Sequence, residues 1–189
     1  MRQLPILFAP LAVVGLLSTA RPAAATVIFS DNFNSENGGV EAFNYVGFAN
    51  WGVSDGTVDI IGNFGFFDLY PGNGMYVDLD GSTGDAGILT STSLFGPGSY
   101  VLSFNLAGSA RGDSNTVIVR FGGVDISGGG ITLGSAAPFS PPISLSFTAG
   151  APGQISFENL GGDNVGLILD NVTLDQVPEP GSLLLLGGG

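Results

Sequence analysis

Between Thr26 and Leu174 the chain alternates apolar and polar residues in short runs, each closed by Gly, Asn, Asp, Ser or Pro. Met75-Tyr76-Val77-Asp78-Leu79-Asp80 is a clear case: Met75, Val77 and Leu79 fall on one face, Tyr76, Asp78 and Asp80 on the other. Similar runs stand at Thr26–Phe29, Gly56–Ile61, Gly87–Ser91, Ser99–Ala107, Asn115–Phe121, Ile143–Thr148, Gln154–Asn159 and Val165–Leu174. They are rich in β-branched and aromatic residues, and no 3.6-residue apolar stripe competes with them. Many short strands at close spacing predict an all-β fold, a sandwich or a barrel. Two runs read as core anchors. Tyr100, Leu102, Phe104 and Leu106 share one face, and so do Val165, Leu167 and Leu169, with Val172 following a bulge at Asp170-Asn171. Trp51, the single tryptophan, is expected to plug one end of the fold or to stand exposed as a sugar platform.

Composition narrows the chemistry. The chain has no cysteine and no histidine, so disulfides, thiolate chemistry, imidazole bases and the usual zinc ligands are excluded. Its four basic residues are Arg2, Arg21, Arg111 and Arg120. All sixteen acids lie beyond Ala25. Against two remaining arginines they leave that part at −14, a surface that repels phosphate backbones and excludes nucleic acid as a partner. Such a surface attracts divalent cations or cationic surfaces. Arg111-Gly112-Asp113 is expected in a loop, with both arginines paired to nearby acids.

The two ends read as targeting signals. Arg2, an apolar run over Leu4–Leu17 and Ala23-Ala24-Ala25 make a secretory signal peptide over residues 1–25, cut after Ala25. At the other end Pro178-Glu179-Pro180 opens the run Leu183–Leu186. This tail, 177–189, resembles the PEP-CTERM sorting signal of exopolysaccharide-producing Gram-negative bacteria: a Pro-Glu-Pro box, a membrane-spanning apolar helix and an arginine cluster. Pro178, Glu179 and Pro180 match the box, and the leucines match the start of the helix. The arginines are missing where the sequence reaches Gly189, so the signal reads as truncated. The resemblance implies export through the Sec pathway, processing by an exosortase-type sorting enzyme, transient contact with the inner membrane, and a final place in the cell envelope or extracellular matrix.

The intervening domain, 26–176, carries Asp31-Asn32-Phe33-Asn34, Asn50-Trp51, Tyr76–Ser82, Gly98–Phe104 and Leu169–Leu174 in that order. This pattern looks like the galactose-binding-like jelly-roll domains of PEP-CTERM proteins, which are related in fold to many carbohydrate-binding modules. It implies a two-sheet antiparallel β-sandwich. Domains of this kind often hold a structural calcium between the N-terminal segment, a loop and the last strand. Asp31, Asn34, Asp80, Asp85 and Asp170 are the oxygen donors in those places, and all five are also ordinary turn residues.

A sugar site needs an exposed ring and planar polar groups. The stretch Phe64–Gly74 offers both, with Phe66, Tyr70 and Asn73 as the candidate ligand-binding residues; the same stretch also reads as an aromatic core strand followed by a turn. As a strand it puts Phe64, Phe66 and Tyr70 on one face, Phe67 and Leu69 on the other. Without His, Cys or Lys, a catalytic role for acid pairs such as Asp78 and Asp80 has little support, and no enzymatic activity is expected. The expected function is that of an exported, non-enzymatic envelope or matrix protein associated with extracellular polysaccharide. The alternatives are a calcium-stabilised carbohydrate-binding module and, far behind it, a glycoside hydrolase.

Overall fold

The computed structural model describes residues 24–178. The signal-peptide core, and Glu179 and Pro180 of the sorting box, lie outside the described residues. Twelve strands are formed: β1 (Thr26–Asp31), β2 (Trp51–Ser54), β3 (Asp59–Gly62), β4 (Met75–Asp78), β5 (Ile88–Ser91), β6 (Gly98–Ala107), β7 (Ser114–Phe121), β8 (Val124–Asp125), β9 (Ile131–Gly134), β10 (Ile143–Ala149), β11 (Ile155–Asn159) and β12 (Ile168–Val177). The only helical element among the described residues is a 3₁₀ turn at Glu36–Gly39.

The strands make two six-stranded sheets. One runs β10-β6-β12-β4-β3, with β1 also on β12; the other runs β2-β5-β11-β7-β8, with β9 also on β7. Every pairing between these strands is antiparallel. The expected all-β, two-sheet antiparallel sandwich is therefore what the sequence forms.

Its core is the alternation made physical. Tyr100, Leu102, Phe104 and Leu106 from the first sheet face Val117, Val119, Ile155 and Phe157 from the second, all buried. The bulge in β12 falls where expected, between Asp170 and Thr173, with Asn171 at φ 52°. Leu167 and Leu169 before it, and Val172 and Leu174 after it, are all fully buried. Trp51 is 1% exposed and fills the core rather than presenting a platform. It touches Phe29, Phe33 and Phe157, and its Nε1 donates to Asp31 Oδ2 at 3.0 Å, linking β2 of one sheet to β1 of the other.

Three features depart from the sequence reading or go beyond it. The outward face of β3 and β4 is not solvated. Ile61, Tyr76, Ala107 and Ile168 form a second apolar cluster there, covered by Phe67, Leu69, Tyr70 and Phe139. The covering stretch 63–74 is not a strand. Asn63 and Phe64 have positive φ, 51° and 64°, which breaks an extended run. Its amides bond to carboxylates instead of a ladder: Phe64 N donates to Asp68, Phe66 N and Phe67 N to Glu41. Short β2, β8 and β9 were not legible as strands, because glycines and turns interrupt their patterns.

Each fully buried aliphatic chain contributes about 1.5–3 kcal/mol. Leu102→Ala is expected to destabilise the domain by about 2–5 kcal/mol, whereas Phe66→Ala, at an exposed position, should shift stability by about 0.5 kcal/mol or less. Urea unfolding of the two variants side by side measures this.

Candidate functional site

The loop at 63–74 lies on the outer face of the first sheet and is held from several sides. Glu41 grips its backbone at Phe66 and Phe67, at 2.8 and 3.1 Å. The Tyr76 hydroxyl donates to Asp68 Oδ1 at 2.9 Å and accepts from Tyr70 N at 2.9 Å. The Tyr70 hydroxyl sits within bonding distance of two carbonyls, Gly108 O at 2.7 Å and Ala137 O at 3.0 Å. A loop fixed this way presents Phe64 and Phe66 to solvent at 84% and 87% exposure. Phe67 joins them to the sheet, meeting the Phe66 ring at 5.0 Å and the half-exposed Phe43 ring at 5.4 Å, both edge to face.

Beside Phe43 and Phe67 is a dent of about 20 Å³, lined also by Asp59, Ile61, Leu69, Asp78, Ser82 and Arg111. That volume admits one water, so this is a platform and not a pocket. Its polar wall is rigid. Asp59 accepts from Asn44 N at 2.6 Å, Ser82 N at 3.1 Å and Ser82 Oγ at 2.7 Å. Asp78 is 1% exposed; one oxygen pairs with Arg111 and the other accepts from Asp80 N and Gly166 N. Burial pushes the Asp78 carboxyl up to about 7, against the pull of Arg111. Arg120 pairs with Glu158, so both arginines of the described chain are engaged, and Arg111-Gly112 lies in a loop, as expected. A larger cavity of about 330 Å³ at the opposite end, among Phe121, Val124, Ile126, Phe147 and Pro152, has no charged side chain and offers Thr148 as its one hydroxyl. The platform combines rings with planar polar groups and is the better candidate.

Of the predicted ligand-binding residues, only Phe66 is presented to solvent as a ring. Tyr70 is half-buried and its hydroxyl is spent on two carbonyls. Asn73 is exposed but closes its own turn, Nδ2 donating to Tyr70 O at 2.8 Å. Phe43, Asp59, Ser82 and Arg111 were missed. They lie far apart in sequence, and no local pattern marks them.

The five predicted metal donors separate. Asp31 and Asp170 are brought together, because β1 ends beside the β12 bulge, Asp31 opposite Val172. Burial pushes Asp170 up to about 7; the Asn171 amide lowers it and the charge of Asp31 raises it. Asp31 accepts from Phe33 N, Asn50 Nδ2 and Trp51 Nε1. Buried Glu36, not foreseen, also feels the Asp31 charge, and accepts from Ala49 N. Asn34 Oδ1 accepts from Met75 N at 2.8 Å at the start of β4. Asp80 is buried past the end of β4, and Asp85 is exposed, giving its carbonyl to Thr57 N. Among the described residues no three acidic side chains converge on a point that would hold a metal. Pro178 directly follows β12.

No family model matches the chain, and no curated protein matches it. Solved structures do. The K3 cleaved adhesin domain of Lys-gingipain from Porphyromonas gingivalis is similar at 15% identity, with 80% of this chain and 99% of that one covered and a TM-score of 0.52. A family 35 carbohydrate-binding module from Paenibacillus barcinonensis is similar at 13% identity over 71% and 97%, TM-score 0.44. A family 29 carbohydrate-binding module is similar at 16% identity over 80% and 91%, TM-score 0.44. The adhesin-domain likeness is one of fold.

Tyr70→Phe tests whether that residue is structural. It takes the hydroxyl donor away from Gly108 O and from Ala137 O, which still accepts from Gly108 N, and is expected to lower stability by about 1–3 kcal/mol in urea unfolding. An unchanged midpoint would return Tyr70 to the list of ligand-binding residues.

Proposed function

We propose that this is an exported, non-enzymatic protein whose β-sandwich binds extracellular polysaccharide on the platform of Phe64, Phe66, Phe43 and the Asp59–Ser82–Arg111 wall. One observation carries the reading. Two phenylalanines stand 84% and 87% exposed on a loop whose backbone is tied down by Glu41 and Asp68. Exposed rings return nothing to the fold, and a rigid apolar patch rimmed by polar groups suits a ligand with one apolar face and many hydroxyls. A sugar ring is such a ligand. The charge of −14 beyond Ala25 favours a neutral polymer, or an acidic one bridged by divalent cations. Export, handling of the Pro178-Glu179-Pro180 tail by a sorting enzyme at the inner membrane, and residence in the Gram-negative envelope or matrix belong to the same reading.

Hydrolysis is disfavoured by the position of Asp78. A carboxyl pushed to about 7 is the kind a general acid needs, but this one is sealed and bound on both oxygens. It ties Asp80 N, Gly166 N and Arg111 together at the edge of the dent, with 1% of its surface exposed.

Affinity electrophoresis through gels containing neutral and acidic bacterial polysaccharides is the direct test. At least one polymer should retard the protein. The pair Phe64→Ala and Phe66→Ala should weaken that retardation on the order of tenfold, about 1.4 kcal/mol, with the melting temperature unchanged. Migration indistinguishable from that of an unrelated acidic protein in every gel would sink the proposal.

Calcium enters this reading as a stabiliser at half-buried Asp31 and buried Asp170, two acids with no arginine paired to them. In chelator, Asp170→Asn is expected to melt above the native protein, since it removes a buried charge. In millimolar calcium the order should reverse. A native protein that melts identically with calcium and with chelator argues against any cation there.

A further inference from the structure

The end of the sandwich beyond β4 contains a buried carboxylate with no partner. Asp80 is 0% exposed, and neither of its oxygens has a hydrogen-bond partner. The N–H groups of Gly162 and Asp163 approach it without reaching bonding geometry. Burial raises its pKa and the nearby Asp163 charge adds to this, while those two N–H groups and Arg111 offset only part. Asn159, 3% exposed, also has an unpartnered polar atom there, Nδ2, although its Oδ1 accepts from Leu167 N at 3.3 Å. A buried ionised carboxylate is normally paired or bound to a metal, because leaving it alone costs several kcal/mol.

The surroundings are built around this group. Gly161 passes so close that a Cβ there would collide with both Asp80 Oδ2 and Asn159 Nδ2, and would lie 3.3 Å from Asn115 Oδ1. Asn115 is 5% exposed, and its Nδ2 donates to Asp113 Oδ2 at 2.6 Å, which leaves Oδ1 turned toward Gly161. The Gly84 carbonyl lies against Gly162, 3.5 Å from a Cβ built there. Asp163 is the acid whose charge acts on Asp80, and Arg111 is committed to Asp78. The group is rich in oxygen acceptors and short of positive charge. Water supplies donors but no charge.

We infer that Asp80, with Asn115 Oδ1 and peptide oxygens of the 81–84 and 160–163 loops, binds a hard divalent cation of the calcium class beneath the 160–166 loop. One carboxylate with neutral oxygens is a low-charge ligand set, consistent with no three acids converging among the described residues. Such sets bind calcium weakly, with Kd on the order of 10⁻⁴–10⁻³ M as in extracellular modules. The site is separate from Asp31 and Asp170 and is independent of sugar binding.

The test uses Asp170→Asn protein, in which the Asp31–Asp170 pair no longer binds a cation. Its melting temperature is followed against calcium chloride, with sodium chloride at matched ionic strength as the control. The temperature should rise with calcium, with half the effect at roughly 10⁻⁴–10⁻³ M. Adding Asp80→Asn should raise the calcium-free melting temperature and abolish the calcium response. Adding Asn115→Asp instead, which supplies a second carboxylate, should shift the response to about tenfold lower calcium, and this arm decides the matter if the Asp80 variant does not fold. No calcium response in the Asp170→Asn protein, a response that survives Asp80→Asn, or one that Asn115→Asp leaves in place would each overturn the inference.

Discussion

One extra residue in the last strand governs much of this molecule. β12 gains a residue on β6 between Asp170 and Thr173, so its inward set changes from Leu167 and Leu169 to Val172 and Leu174. A regular strand would send the second pair to the other face. The bulge also divides the opposite edge of β12. β4 pairs before it, at Ile168 and Leu169, and β1 pairs after it, from Val172 to Gln176. Two strands thus share one edge, and the end of β1 arrives beside the bulge. Asp31 is placed there, where it reaches across to Trp51 and tints the field at Asp170.

The same sheet is covered on both sides, and this shapes the candidate platform. Its inner face meets the second sheet. Its outer face, over β3 and β4, is closed by a loop with no strand of its own, held by the carboxylates Glu41 and Asp68 and the hydroxyls of Tyr70 and Tyr76. Carboxylates that would otherwise be solvated become backbone acceptors. This accounts for part of the acid excess without invoking a ligand. Asp80 is the exception, because burial has removed it from water without giving it a donor.

What the sequence disclosed depended on how far apart the cooperating residues lie. The anchors in β6 and β12 were legible because side-chain alternation is local, and the bulge was legible because two polar residues interrupt it. The 63–74 loop was ambiguous for the opposite reason. Its aromatics favour strands by composition, while the positive φ at Phe64 leaves no trace in residue type and that at Asn63 only a weak one. Tyr70 reads as an exposed ring or as a core residue from sequence alone, because its partners, Gly108 and Ala137, are 38 and 67 residues away. Phe43, Asp59, Ser82 and Arg111 meet only through the crossing of separate elements. Asp80 was singled out as an oxygen donor, but its isolation from every partner exists only in three dimensions.

The loop over β3 and β4 also bears on how such a protein changes over generations. Its inward residues, Phe67, Leu69 and Tyr70, are bound to the sheet, while its outward ones, Phe64 and Phe66, touch little that the fold needs. Selection can replace the outward rings one at a time without risking the scaffold beneath them. A lineage that meets a new polymer can therefore explore new surfaces at little hazard, and descendants should diverge fastest at these two positions while keeping the tyrosine between them and the core.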